Sequence, residues 1–281
     1  MIRSDNHVHS SFSADSNTSM QAIIQRAIEL GLSSVCFTDH IDYGFPSDYY
    51  NMEFLFSVND YFETIQKFSE EEPSIQLRTG VELGLKQDSA KEILALPKKY
   101  SFDFVIGSTH LVNNLDPYYE EYWEKYGEEN GISLYYETTY SNILMNFDFD
   151  VYGHIDYIIR YCPSVRKAQK SGSQNEHFYQ YIMEKNAEIL DEILLALIHS
   201  GKGIEVNTAG LKYGLGHPNP HEKIISRYHK LGGTILTVGS DAHETKHLAF
   251  SFEELPKLLF ECGFKHYTEF HKRCPVEIPL T

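Results

Sequence analysis

The chain has 281 residues, 42% hydrophobic and 23% charged, a balance that supports a packed core and excludes long disorder. Its formal net charge of −16 repels phosphate backbones and anionic lipid, so neither a nucleic acid nor a membrane surface is an expected partner. A small phosphorylated substrate remains compatible with that charge, because a metal ion or one arginine reverses the field inside a cleft. No apolar run reaches the roughly 18 residues of a membrane-spanning helix, and the first residues lack the apolar stretch of a secretion signal. Four scattered cysteines without CxxC spacing read as reduced thiols, so a cytoplasmic location is expected. The 14 histidines are the unusual count, and their positions carry the functional reading.

A first strand is predicted over 2–9. An amphipathic helix follows from about Met20, with Ile23, Ile24, Ala27 and Ile28 in one apolar stripe, Thr18 or Ser19 as its cap and Gly31 as its stop. Six further strands are predicted over 34–38, 75–82, 103–108, 149–153, 203–207 and 234–239, with helical stretches between most of them, the longest over 174–199. Alternation of this kind means parallel strands with crossover helices, and seven strands fit a closed β/α barrel better than an open sheet. No linker or repeat interrupts the chain, so residues 1–281 read as a single domain. Residues 116–146 stand apart: eight aromatic residues, among them Tyr118, Tyr119, Tyr122 and Trp123, lie among many glutamates. This stretch is expected to be a helical insertion after a strand end, either a lid on the active-site face or a helix packed by its aromatic side. The last elements expected are a helix over 253–262 and a short outer strand over 265–270.

The strand ends hold the histidines. His7 and His9 are two apart at the end of the first strand, so both rings point to one side and reach one ion. The second strand ends in Asp39-His40, the third in Glu82, the fourth in His110, the fifth in His154 and the seventh in Asp241 and His243. A lone strand-end histidine is ordinarily a satisfied core residue. Five of seven strands ending this way, with a glutamate on another, ask for a common cause, and the strand ends of a barrel converge on one mouth. Gly80, Gly84, Gly107, Gly153 and Gly239 beside them suit tight turns with close backbone approach. Imidazole and carboxylate are the common ligands of Zn, Mn and Fe. His7, His9, His40, Glu82, His110, His154, Asp241 and His243, with Asp15 as a ninth, suit two or three divalent transition metals, Glu82 bridging through its two oxygens. No thiolate joins them, which excludes a structural cysteine-type zinc site as the main reading.

The HxH of His7 and His9, the TDH ending in His40, Glu82, the STH ending in His110, the GH ending in His154 and the SDAH of Asp241 and His243 resemble the polymerase-and-histidinol-phosphatase (PHP) family of metal-dependent phosphoesterases. The motifs run in the family's order over residues 7–243. The stretches TDHIDYGFP, GVELG, FVIGSTH, GHIDYIIRY, IEVNT and VGSDAH resemble the members that act on histidinol phosphate. The resemblance implies a distorted (β/α)7 barrel with a trinuclear metal site at the C-terminal ends of the strands. It implies that His7, His9, Glu82 and Asp241 hold one ion, that Glu82, His110 and His154 hold a second, and that Asp15, His40 and His243 hold a third. Many family members carry His where this chain has Asp15, a change that keeps a ligand but alters the charge of the third site. The implied reaction is hydrolysis of L-histidinol phosphate to L-histidinol and phosphate, a step of histidine biosynthesis, by a hydroxide bridging two ions. The alternative is another small phosphomonoester, such as a nucleotide monophosphate.

Arg160, six residues after His154, reads from spacing alone as a surface salt bridge; the resemblance turns it into a bidentate phosphate contact. Asp42 is expected to pair with the substrate ammonium, and Glu205 and Asn207 to add polar substrate contacts. Asp39 and Asp156 are expected to orient metal-bound imidazoles. The acid for the leaving alkoxide stays open between a metal-bound water and a side chain. An amidohydrolase-type deaminase also uses HxH in a β/α barrel, but Glu82 stands where many of those enzymes carry a modified lysine. A metal-stabilised, non-catalytic binding module is the reading from another class, and the intact ligand set argues against it.

Overall fold

A computed structural model describes residues 2–172 and 176–280. Strands β1 (Ser4–Val8), β2 (Ser34–Phe37), β3 (His40–Ile41), β4 (Gln76–Gly84), β5 (Phe104–Ser108), β6 (Val151–Tyr152), β7 (Gly203–Asn207) and β8 (Leu236–Gly239) form one parallel sheet in the order β1-β2-β4-β5-β6-β7-β8. β3 continues the line of β2 along β4, pairing His40 with Glu82 after a break at Thr38 and Asp39. Every residue of β1, β2, β5, β7 and β8 is buried, as parallel strands covered on both faces require. The sheet curls until its ends meet. His9 N donates to Ala242 O at 2.9 Å and Asp241 N to His7 O at 2.8 Å, so the two histidine-bearing ends are also the seam of the barrel.

The helices outside the ring follow from local sequence. Ser19 caps Met20–Glu29 by accepting from Ala22 N at 3.2 Å, and Ile23, Ile24 and Ala27 enter the core. The expected 174–199 helix is two helices, Glu176–Lys185 and Ala187–His199; residues 174 and 175 lie outside the described residues. The break falls at Asn186, whose side chain donates to Ile182 O at 2.9 Å and accepts from Ser133 Oγ, competing with the helix backbone. The expected insertion is also two helices, Glu120–Tyr126 and Glu128–Leu144, separated at Gly127, whose φ of 70° only glycine adopts at no steric cost. Tyr122, Trp123, Tyr135 and Tyr136 pack into the core, so the helical aromatic side is structural. The loop before them, carrying Asp116, Tyr118 and Tyr119, faces the mouth of the barrel.

The final strand was expected alone. It is a hairpin, β9 (His266–His271) paired antiparallel with β10 (Cys274–Pro279), and it seals the end of the barrel opposite the mouth. Phe270 stacks on Phe104 and joins Cys36, Ile106 and Val151 in a small cluster of its own. Beside that cluster lies Arg78, only 1% exposed. Its guanidinium donates to Ser4 Oγ, Asn6 Oδ1 and Ser34 Oγ at 2.5, 2.6 and 3.2 Å and to Phe270 O at 3.1 Å, with Glu269 Oε2 at 3.6 Å as its counter-charge. One side chain thus ties β1, β2, β4 and β9 together. Removing one partner of a buried ion pair costs roughly 3–5 kcal/mol, because the other is left uncompensated. Arg78→Ala should therefore lower the unfolding free energy from urea titration by an amount in that range, and the midpoint with it. An unchanged midpoint would show that the floor does not depend on it.

Candidate metal centre

The nine expected ligands meet at the C-terminal mouth. His7 and His9 leave β1, His40 begins β3, Glu82 lies in β4, His110 follows β5, His154 follows β6, and Asp241 and His243 follow β8. Asp15 comes from the loop after β1 and places Oδ2 3.1 Å from His243 Nε2 and 3.8 Å from His40 Nε2. The turns that aim two of these side chains are strained: His154 has φ 22° and Asp241 φ 53°, values that residues other than glycine seldom adopt. Gly239 supplies the space, since a Cβ there would overlap His7 Cβ.

The protons of this cluster are committed on the far sides of the rings. His7 Nδ1 donates to Glu205 Oε1 at 2.5 Å, which leaves the lone pair on Nε2. Asp39 Oδ1 takes the Ser13 hydroxyl proton at 2.8 Å, so Ser13 Oγ accepts from His9 Nδ1 at 3.1 Å and His9 Nε2 also carries a lone pair. These two Nε2 atoms face each other at 2.9 Å. Glu82 Oε2 stands 3.1 Å from the first and 3.4 Å from the second, and all three side chains are wholly buried. Lone pairs gathered at that range away from water repel one another unless a cation lies among them. The same pattern repeats at the other oxygen of Glu82. His110 donates through Nδ1 to Asp42 Oδ2 at 2.7 Å and turns Nε2 to Glu82 Oε1 at 3.1 Å, while His154 Nε2 stands 2.8 Å from that oxygen. Four donor groups, His7/His9/Glu82, Glu82/His110/His154, His9/His40/His243 and His40/Asp42/His110, each bring their ligand atoms within 4.8 Å of one another. Imidazole and carboxylate in this arrangement fit divalent transition metals.

The electrostatics point the same way. Burial alone would lower the His7 pKa, but the carboxylates of Glu205, Glu82 and Asp241 hold it well above the ordinary imidazole value, an imbalance that calls for a positive charge at Nε2, either a second proton or a metal ion. His9 is pushed well below that value by burial and then by His243 and His40. Burial would raise Glu82, and His7, His40 and His110 instead hold it well below the usual carboxylate range. Negative charge in this pocket draws positive charge to it.

Several expected roles change. Glu205 and Asn207 have no exposed surface and sit behind the ligands, so they are not substrate contacts: Glu205 fixes His7, and Asn207 Nδ2 bridges Glu205 Oε2 at 3.1 Å and Asp241 Oδ2 at 3.3 Å. Asp42, expected at the substrate ammonium, has Oδ2 committed to His110. Asp39 reaches His9 only through Ser13. Asp156 touches no metal-site imidazole. It accepts from Asn219 Nδ2 at 2.6 Å, from His221 N at 3.0 Å and from the Tyr179 hydroxyl. Asn219 in turn accepts from Arg160 Nη2 at 3.1 Å.

Arg160 enters the cavity above the ligands, as expected. This cavity of about 710 Å³ has Glu82, His40, His110, His154, Asp241 and His243 at its base. Arg160 Nη1 lies 3.6 Å from Asp241 Oδ2, and the guanidinium sits over the rings of Tyr213, Tyr157 and Tyr161 at 4.7, 5.4 and 5.8 Å. Ser13, Ser108 (Oγ to Glu82 Oε1, 2.7 Å), Asp116 and Asn219 went unnoticed in the sequence. Serine and asparagine have no spacing that marks such work, and apart from His9, four residues from Ser13, their partners here lie 26 to 63 residues away.

A family model described as the PHP domain matches residues 5–209. A histidinol-phosphatase from Lactococcus lactis subsp. lactis is 31% identical over 274 residues, covering 96% of this chain and 95% of that protein. A crystal structure of histidinol phosphate phosphatase from Lactococcus lactis, complexed with Zn, L-histidinol and phosphate, superposes with a TM-score of 0.84 at 28% identity, covering 98% of both chains. A Listeria monocytogenes structure, 20% identical, shares the fold with a TM-score of 0.73 over 89% of this chain and 99% of its own.

Glu82→Gln removes the charge that faces imidazoles on both oxygens. The variant should lose most of its divalent metal in elemental analysis after dialysis, with the barrel intact by circular dichroism. Wild-type metal content in Glu82→Gln would rule out a bridging role.

Proposed function

The chain belongs to the PHP-domain family, and from that premise we propose that it is a metal-dependent phosphomonoesterase that hydrolyses L-histidinol phosphate to L-histidinol and phosphate. The observation that carries this reading is one guanidinium, Arg160, facing the same cavity as the converging imidazoles and carboxylates. His7, His9, Glu82 and Asp241 would hold one ion, Glu82, His110 and His154 a second, and Asp15, His40 and His243 a third. When bound, such ions acidify a water nucleophile and offset the charge of the phosphoryl oxygens.

The chain's own residues do the positioning. Glu205, Ser13 and Asp42 fix the rings of His7, His9 and His110 and keep their Nε2 atoms free as donors. Arg160 offers paired N–H groups to two phosphoryl oxygens, a geometry that lysine cannot reproduce. Its aromatic surroundings exclude water, and Asn219, itself held by Asp156, sets its plane. Four cysteines without disulfides and the biosynthetic reaction support a cytoplasmic location; among the described residues no helix is long and apolar enough to cross a membrane.

Phosphate release tests the reading. Protein of measured metal content should carry two or three ions and show its highest kcat/KM on L-histidinol phosphate among a panel of nucleotide monophosphates and aryl phosphates. A nucleotide as the best substrate, or full turnover with no more than one ion, would overturn it. Asn219→Ala tests the support of Arg160. Hydrogen bonds to charged groups are worth about 1.5–3 kcal/mol, so inhibition by inorganic phosphate should weaken about tenfold or more at unchanged metal content. The same substitution in an Arg160→Ala background should do little, as coupled residues require. Additive losses would show that Asn219 does not act through Arg160.

A further inference from the structure

Six carboxylates line the cavity: Asp15, Asp42, Glu82, Asp116, Asp241 and Glu244. Five have cationic or imidazole partners. Asp15 pairs with His243 at 3.1 Å, Asp42 with His110 at 2.7 Å and Glu244 with Lys246 at 2.8 Å. Glu82 stands among the imidazoles, and Asp241 lies 3.4 Å from His9 and 3.6 Å from Arg160. Asp116 is the exception. Among the described residues no Lys, Arg or His nitrogen comes within ion-pair distance of it.

The carboxylate is nevertheless held in place. Oδ1 accepts from Tyr118 N at 2.8 Å. The backbone N–H of Asp116 donates to the Tyr50 hydroxyl at 3.1 Å, and the Tyr50 ring stacks on Tyr119 with centroids 4.3 Å apart. The surrounding wall is aromatic, with Tyr118, Tyr119, Tyr157 and Tyr161 all facing the cavity. Burial pushes the Asp116 carboxyl up to about 6, as befits a charge without a counter-ion. Arg160 and the metal donors, the groups proposed to take the phosphate, line the same cavity, and its space of about 710 Å³ leaves room for an organic group besides a phosphate.

We propose that Asp116 is the specificity-determining residue of this site, pairing with the cationic nitrogen of the substrate while Arg160 and the metal donors hold its phosphate. The assignment rests on the reading of the site as a histidinol phosphate phosphatase. An unpaired carboxylate repels a purely anionic phosphomonoester and gains only when the substrate brings its own positive charge, so it selects in both directions. The aromatic wall adds attraction for the same charge. Asp42 is less suited, because a proton-bearing imidazole already occupies its Oδ2.

The test compares wild type with Asp116→Asn and Asp116→Glu on L-histidinol phosphate and on an aryl phosphate without a cationic group. It also measures inhibition by L-histidinol and metal content. In Asp116→Asn the ratio of kcat/KM values, histidinol phosphate over aryl phosphate, should fall about tenfold to hundredfold, mainly through KM on histidinol phosphate. Inhibition by L-histidinol should weaken in parallel, at unchanged metal content. Asp116→Glu, which keeps the charge, should recover part of the preference. A wild-type enzyme that prefers histidinol phosphate while Asp116→Asn keeps that preference, or loses equally on both substrates, overturns the assignment and leaves the functional reading standing. A wild-type enzyme without that preference removes the functional reading, and this assignment with it.

Discussion

Two imidazole nitrogens facing each other at 2.9 Å over a buried carboxylate are the constraint on which the mouth of this barrel depends. Each ring has its other nitrogen bonded on the far side, His7 to Glu205 and His9 to Ser13, so neither has an alternative orientation without breaking a buried hydrogen bond. The inward nitrogens face only each other and carboxylates in a place closed to water, which is costly while both rings are neutral. A bound cation offsets that cost, and so links metal affinity to the stability of the strand ends. The backbone bears part of the same cost at His154 and Asp241, whose left-handed turns bring their side chains to the cluster.

Charge then decides what the cavity accepts. The chain carries −16 overall, and Arg160 is the one Lys or Arg side chain among the described residues that lines the cavity. A phosphate entering here would therefore depend on that guanidinium and on any ion held by the donors below it. Asp15 matters in this balance. Its donor group is the most open to solvent, with side-chain exposures of 34% for Asp15 and 23% for His243 against 0% for His7 and Glu82. Solvent screens and competes most at that point, and a carboxylate brings there a full charge that a neutral imidazole lacks.

The barrel and the convergence of the strand-end histidines were legible in the sequence because both obey short-range periodicities. Parallel strands buried on both faces read as apolar runs, and two histidines at i and i+2 must share a side. The less legible parts depend on contacts across the fold. β10 contains Pro275 and Pro279 and is mostly exposed, so it lacks the apolar signal of a strand and exists because β9 pairs with it. Glu205 looks like a polar residue at a strand end, suited to substrate. Only the closing of the ring, which brings β8 against β1 and so Glu205 of neighbouring β7 within reach of His7, reveals that partner. Asp156 follows His154 by two residues, and sequence proximity suggested an imidazole partner. The loop carrying Asn219 and His221 captures it instead and converts it into a support for Arg160.

The two ends of the barrel resolve the same problem in opposite ways. A ring of seven short strands encloses polar side chains at both ends, and buried polar atoms need partners. At the floor the partners are all protein: the terminal nitrogens of Arg78 find Ser4, Asn6, Ser34, Phe270 and Glu269, which span strands far apart in the chain. Such a network rigidifies and specifies the fold. At the mouth the chain fixes His7, His9 and His110 by hydrogen bonds on the outer sides of their rings and turns their inner nitrogens toward one another and toward Glu82. Rigid support behind the donors limits how far the rings turn, and so favours an ion whose size and geometry match them. The floor holds the strands so that their opposite ends remain in a geometry that the protein alone does not favour.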